Sequence, residues 1–116
     1  MPLQRDDDVF DERQACYSYE MIATIHQALT AAGLPPDQAR QLTGDVAFAL
    51  AAQLDGITPM EYDGQRIRPV LTFVPDTAPE REPHEEPTLL YSGTGSALHE
   101  YVYGNLDEIA PESDAV

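Results

Sequence analysis

The chain has no lysine and no tryptophan, a single cysteine, and six arginines set against twenty-one Asp and Glu in 116 residues. So few cations exclude direct nucleic-acid binding through phosphate neutralisation, which supplies most of such affinity, and six Tyr and three Phe without basic neighbours make no stacking platform. An anionic membrane surface is excluded on the same ground, and no apolar run approaches the roughly 20 residues a bilayer span requires. Cys16 alone rules out an intrachain disulfide, and the start of the chain shows no charged-then-apolar signal peptide, so a cytoplasmic location is expected. The absence of lysine is attributable to the base composition of the source genome and carries no mechanism.

What the chain does have is negative charge, −15 in total, unevenly placed. Residues 75–116 hold ten acids and one Arg, whereas residues 15–74 hold six acids and three Arg. Charge on this scale keeps a small protein soluble and steers it toward basic surfaces. Large apolar side chains are scarce, since fourteen of the hydrophobic residues are Ala. A domain of about 60 residues buries only about 60% of its unfolded surface, so docking of the C-terminal segment or homodimerisation is expected to supplement the core.

Residues 1–11, with Asp6-Asp7-Asp8, read as a disordered acidic lead-in. An α+β core over 12–74 follows. Ala15, Tyr19, Ile22, Ile25, Leu29 and Ala32 recur at helical spacing and predict a helix over about 12–32, closed by Gly33. Pro35-Pro36 starts a second helix over about 36–54, with the stripe Ala39, Leu42, Val46, Leu50 and Leu54 expected to face the core. The Ala-rich stretch 47–52 suggests close approach of another element. Residues 57–74 predict a β-hairpin turning at Asp63-Gly64, with Met60 opposite Ile67, Glu61 opposite Arg66 and Tyr62 opposite Gln65. Pro69 marks an edge or bulge, and Val70, Leu71, Phe73 and Val74 are expected to form a buried strand.

Residues 75–88, with proline at 75, 79, 83 and 87 among charges, read as an extended acidic linker. The segment 89–110 is predicted to hold a short strand at 89–91, a turn Ser92-Gly93-Thr94-Gly95, and a helix capped by Ser96 with Leu98, Val102, Leu106 and Ile109 on its apolar face. Residues 111–116 read as a frayed tail. The fold class expected is α+β: a helical hairpin packed on a β-hairpin, an acidic Pro-rich linker and a C-terminal helix.

Chemistry-bearing motifs are weak throughout. The order strand, Gly-rich turn, helix start at Ser92–Ser96 suits a phosphate, but it lacks a P-loop lysine and the third glycine of a dinucleotide fingerprint. An ordinary turn is the favoured reading. His26, His84 and His99 show no metal-ligand spacing, and Asp6-Asp7-Asp8 lacks the alternating ligands and glycine of a calcium loop. No metal or cofactor is expected. Cys16, three residues after Arg13, reads as a small buried or half-buried helix residue rather than a nucleophile, and acids are too abundant here for any pair to mark acid–base chemistry.

The reading that follows is a small acidic non-enzymatic interaction protein, an accessory, regulatory or inhibitory subunit engaging a basic protein partner. Its partner-binding residues are expected to be Tyr91, Leu98, Glu100, Tyr101, Tyr103, Asp107 and Glu108, an aromatic-plus-acid composition suited to a basic surface. Two alternatives stand beside it. One is a nucleic-acid mimic inhibiting a DNA- or RNA-binding enzyme, and the other is a small enzyme or ligand-binding domain using the Ser92–Ser96 turn.

Overall fold

A computed structural model of the protein describes residues 3–75 and 88–112. The linker reading for 75–88 and the tail reading for 111–116 therefore lie mostly outside the described residues. Those that are described form an α+β fold with the order β1 (Leu3–Arg5), α1 (Asp7–Ala31), α2 (Pro36–Leu54), β2 (Met60–Tyr62), β3 (Gln65–Ile67), β4 (Leu89–Tyr91), a 3₁₀ turn Leu98–Tyr101 and α3 (Val102–Ile109).

α1 starts five residues earlier than its apolar period predicts, so the acidic lead-in is ordered from Leu3 on. Asp6 caps the helix by accepting from the Val9 amide at 3.1 Å, and Asp7 and Asp8 occupy the first turn, where the dipole favours them. Arg5 bonds Asp7, and Leu3–Arg5 pairs in parallel with Leu89–Tyr91. A parallel partner some 85 residues away leaves no local trace in sequence. α1 and α2 both end in a left-handed glycine, Gly33 at φ 91° and Gly56 at φ 76°. In each the following amide reaches back five residues, Leu34 to Leu29 and Ile57 to Ala52, which satisfies carbonyls that the helix end would otherwise strand.

The two helices pack as a hairpin, and α3 with its 3₁₀ turn fills the angle between them. The core is Ile22, Ala47, Ala51, Leu98, Val102 and Leu106, with Met21, Ile25, Leu54, Leu71 and Ile109 at its edge. The C-terminal segment thus docks within its own chain, through the four residues its helical period marks.

The inward faces of α1 and α2 differ from the stripes expected. On α1 the buried line is Phe10, Gln14, Ser18 and Ile22, and Tyr19 is exposed. Two polar residues sit inside because the docked segment needs partners: Gln14 Oε1 accepts from the Ala97 amide at 2.9 Å, and Ser18 Oγ accepts from Asn105 Nδ2 at 3.1 Å. On α2 the buried residues are the small ones, Ala39, Thr43, Gly44, Ala47, Ala51 and Ala52. Leu42, Val46 and Leu50 stay about 40% exposed, at 42%, 40% and 41%. Close approach is the reason. A Cβ on Gly44 would lie 3.0 Å from Leu106 Cδ2, so only a face of small residues admits α3 at this distance.

The β-hairpin has the register read from its turn, Met60↔Ile67, Glu61↔Arg66 and Tyr62↔Gln65, with Asp63 and Gly64 at φ 51° and 75°. All six strand residues are exposed, so it stands at the side of the helical layer rather than inside it. Its expected continuation is not a strand. Val70 is exposed, and Phe73 makes one antiparallel bridge to Leu90, its ring 5.3 Å from that of Phe10. Leu90, flanked by Gln4 on one side and Phe73 on the other, is the buried centre of this small sheet.

Candidate functional site

Ser96 does not cap the helix that follows it. Its hydroxyl donates to Asp55 at the C-cap of α2, 2.6 Å away, and the same carboxylate accepts from the Leu98 amide at 3.0 Å, the His99 amide at 2.9 Å and His99 Nδ1 at 2.6 Å. Asp55 is thus a cap supplied from 43 residues away, and its side chain is only 1% exposed. Burial is the largest influence on its pKa and pushes it upward. The Ser96 hydroxyl, the His99 amide and ring and the Leu98 amide together outweigh burial, and the carboxyl lies below its ordinary value.

The Ser92–Ser96 turn holds an anion already, and the anion is the chain's own. Gly93 donates its amide to Asp7 at 3.0 Å, Thr94 to Ser92 Oγ at 3.3 Å and Gly95 to the Ser92 carbonyl at 3.1 Å. Arg5 lies so close over Gly93 that a Cβ there would be 2.2 Å from its Cζ. With the Arg5 side chain and the Gly93 amide both bonding it, the Asp7 carboxyl is held down to about 2. A cavity of about 180 Å³ behind the turn is bounded by Asp55, Arg68 and Leu71. The Gly93 amide, which a phosphate cradle at this turn would need, is therefore engaged by Asp7.

The candidate partner residues fall into three groups. Leu98 is fully buried in the core, which corrects its assignment to a contact surface: its spacing with Val102 and Leu106 serves packing inside the chain. Tyr91 and Tyr101 are half-buried and work as ties. Tyr91 pairs with Arg5 across the sheet, and the Tyr101 hydroxyl donates to Asp11, a bond that raises the phenol to about 12 and lowers the Asp11 carboxyl. Glu100, Tyr103, Asp107 and Glu108 are exposed around α3.

Tyr103 forms one wall of a slot of about 460 Å³ between α2 and α3, floored by Gly44 and Leu106 and rimmed by Asp37, Asp45 and Glu112. Phe48 stacks beside Tyr103 at 6.0 Å and 31°, and meets the edge of His99 at 6.0 Å. Arg40 stands at the other end. It bonds Asp107, lies 3.5 Å from Glu112 and donates to the Ala110 carbonyl at 2.8 Å, latching the end of α3 onto α2. Of these, Arg40, Gly44, Asp45 and Phe48 were not marked by sequence reasoning. A glycine inside a helical period, just before the Ala-rich stretch 47–52, was an available signal, since it foretells close packing.

A second feature lies on the opposite flank of α2. A groove of about 560 Å³ runs between Tyr17 and Met21 of α1, Leu50 and Leu54 of α2, and Met60 beside Pro59. It continues along α2 through the exposed Val46 and Leu42. Cys16 is exposed, contrary to the buried or half-buried role expected, and His26 is half-buried. Among the described residues no group of three or more His, Cys, Asp or Glu is arranged to hold a metal ion, and no helix is long and apolar enough to cross a membrane. No protein-family model matches the chain, and no curated protein or solved structure is significantly similar to it.

Proposed function

We propose that the chain is a non-enzymatic interaction protein, an accessory, regulatory or inhibitory subunit of the cytoplasm, that engages a basic protein partner through the slot between α2 and α3. The observation that carries this reading is the pairing of exposed aromatic rings, Tyr103 on Phe48, with the carboxylate of Asp45 on the rim of the same slot. An Arg or Lys side chain gains cation–π attraction over such rings and a charge-assisted bond at the rim. The wider field of −15 adds steering toward cationic surfaces, with Glu100, Asp107 and Glu108 on the approach. No cofactor has a part in this reading.

The test is binding of a short fluorescent Arg-Ala repeat peptide, followed by anisotropy from low to high salt. The wild-type chain is expected to bind it, less tightly as salt rises, and the double variant Asp45→Asn/Tyr103→Ala to bind at least about tenfold more weakly. Equal binding by variant and wild type rejects the slot. If DNA displaces the chain from a basic DNA-binding enzyme while the double variant is displaced identically, the nucleic-acid-mimic reading takes its place.

A further inference from the structure

The slot between α2 and α3 differs from end to end, and the difference narrows what it can take. At one end a single guanidinium, that of Arg40, engages the Asp107 carboxylate, the Ala110 carbonyl at 2.8 Å and Glu112 at 3.5 Å. Asp37 on the rim is not free either. Asp45 is exposed and has no ion pair or hydrogen bond among the described residues. Gln41, one turn before it, adds a neutral amide. The rest of this end is carbon. The Tyr103 ring is 54% exposed and backed by Phe48 at 6.0 Å and 31°. The floor is closed so tightly that a Cβ on Gly44 would lie 3.0 Å from Leu106 Cδ2 and 3.5 Å from Tyr103 Cε1.

From this arrangement we infer that the slot takes arginine in preference to lysine, one side chain per slot, with the guanidinium edge on Asp45 and its flat face against Tyr103. The inference rests on the partner reading above and narrows it to one side-chain chemistry. A lysine ammonium is a compact, strongly hydrated charge with three donors to satisfy. Here it meets one carboxylate and one neutral amide, while ring and aliphatic carbon close the remaining directions, so its lost water is not fully replaced. A guanidinium has a different shape. Its donors lie in one plane and match a single carboxylate through two parallel bonds, and its weakly hydrated faces stack on an aromatic ring. The carbon surface that penalises an ammonium is thus the surface on which a guanidinium rests. Arg40 limits the count to one, because its charge repels a second cation and the acceptors around it are already engaged. The field of −15 attracts both side chains alike, so discrimination between them comes from these local contacts.

Anisotropy titrations of the full chain with fluorescent Arg-Ala and Lys-Ala repeat peptides of equal length and charge, at one fixed salt concentration, test it. The wild type is expected to bind the arginine peptide about tenfold or more tightly than the lysine peptide. Tyr103→Leu keeps an apolar side chain but removes the ring, and Asp45→Asn keeps the shape but removes the charge. Each is expected to bring the ratio of the two affinities to within about twofold, with far-UV circular dichroism unchanged, since both positions are exposed. Equal wild-type binding of the two peptides, with both weakened in Asp45→Asn/Tyr103→Ala, overturns the arginine preference and leaves the partner reading standing. No binding of either peptide overturns both. A preference for arginine that persists undiminished in Tyr103→Leu and in Asp45→Asn arises outside the slot and also overturns the inference. The wild-type comparison needs no variant, so it decides even where a substitution disturbs folding.

Discussion

Replacing Asp55 by Ala is expected to be strongly destabilising, because its buried carboxylate at the C-cap of α2 caps a segment distant in the chain. Its carboxylate receives four donors, from the Ser96 hydroxyl, the Leu98 and His99 amides and His99 Nδ1. Hydrogen bonds to a charged group are worth about 1.5–3 kcal/mol each, and an orphaned buried donor costs about 1–3 kcal/mol. The Ser96 hydroxyl and the partly exposed His99 ring can turn to water, but the two amides at the start of the 3₁₀ turn cannot. About 3–5 kcal/mol is therefore the expected loss, a large share of the roughly 5–15 kcal/mol by which a domain is stable. For a domain of this size each kcal/mol moves the melting temperature by about 4–8 °C, so thermal denaturation should fall by at least about 12 °C. The pH dependence has a definite sign. A carboxyl whose folded pKa lies below its unfolded value contributes stability above the unfolded value of about 3.9, and that contribution is lost as pH falls through the lower native value. Asp7 and Asp11 share this acid limb, so the difference between wild type and Asp55→Ala, followed from neutral pH downward, isolates Asp55. A variant that melts within about 5 °C of wild type at neutral pH, with a difference that does not shrink on acidification, refutes the capping argument.

Three further outcomes are expected. In an ultraviolet titration one tyrosine should ionise near 12, and Tyr101→Phe should abolish that late step, because the Asp11 bond holds the phenol protonated and its stabilisation is lost only as pH rises through that value. Gly44→Val should cost about 1–3 kcal/mol in chemical denaturation, since the added carbons meet Leu106, and a neutral result would mean that α2 and α3 are not in close contact. Gly64→Val should erase the cross-strand contacts Met60–Ile67 in nuclear Overhauser spectra, because a β-branched residue resists φ 75°. Its effect on global stability should stay under about 1 kcal/mol, as the hairpin is exposed on all six strand residues.

What could be read from sequence was what short-range rules govern. Gly33 and Pro36 bound the helices because backbone conformation is set within a few residues. Asp63-Gly64 sets the hairpin register for the same reason, and the spacing of Leu98, Val102, Leu106 and Ile109 defines the docked face of the C-terminal segment. What could not be read depends on partners distant in the chain. Leu3–Arg5 carries no strand pattern and pairs only because Leu89–Tyr91 arrives beside it. Asp55 and Gln14 look like a helix end and a polar helix position until the backbone of residues 97–99 is brought against them.

The misassigned stripe on α2 has the widest consequence. Size and hydrophobicity would place Leu42, Val46 and Leu50 inward, and they are not inward, because Gly44, Ala47 and Ala51 let α3 come closer than any large side chain would. A helix that turns its small residues to its own core must turn its large ones outward. Burying three such side chains is worth roughly 1.5–3 kcal/mol each, an amount a domain with so modest a core does not obtain from its own interior. The same local choice that brings α3 close therefore creates the apolar outer ridge. Asp45, next to Val46 in the chain and one turn after Leu42, stands where that ridge meets the slot walled by Tyr103, so the helix passes from apolar to acidic surface within a single turn.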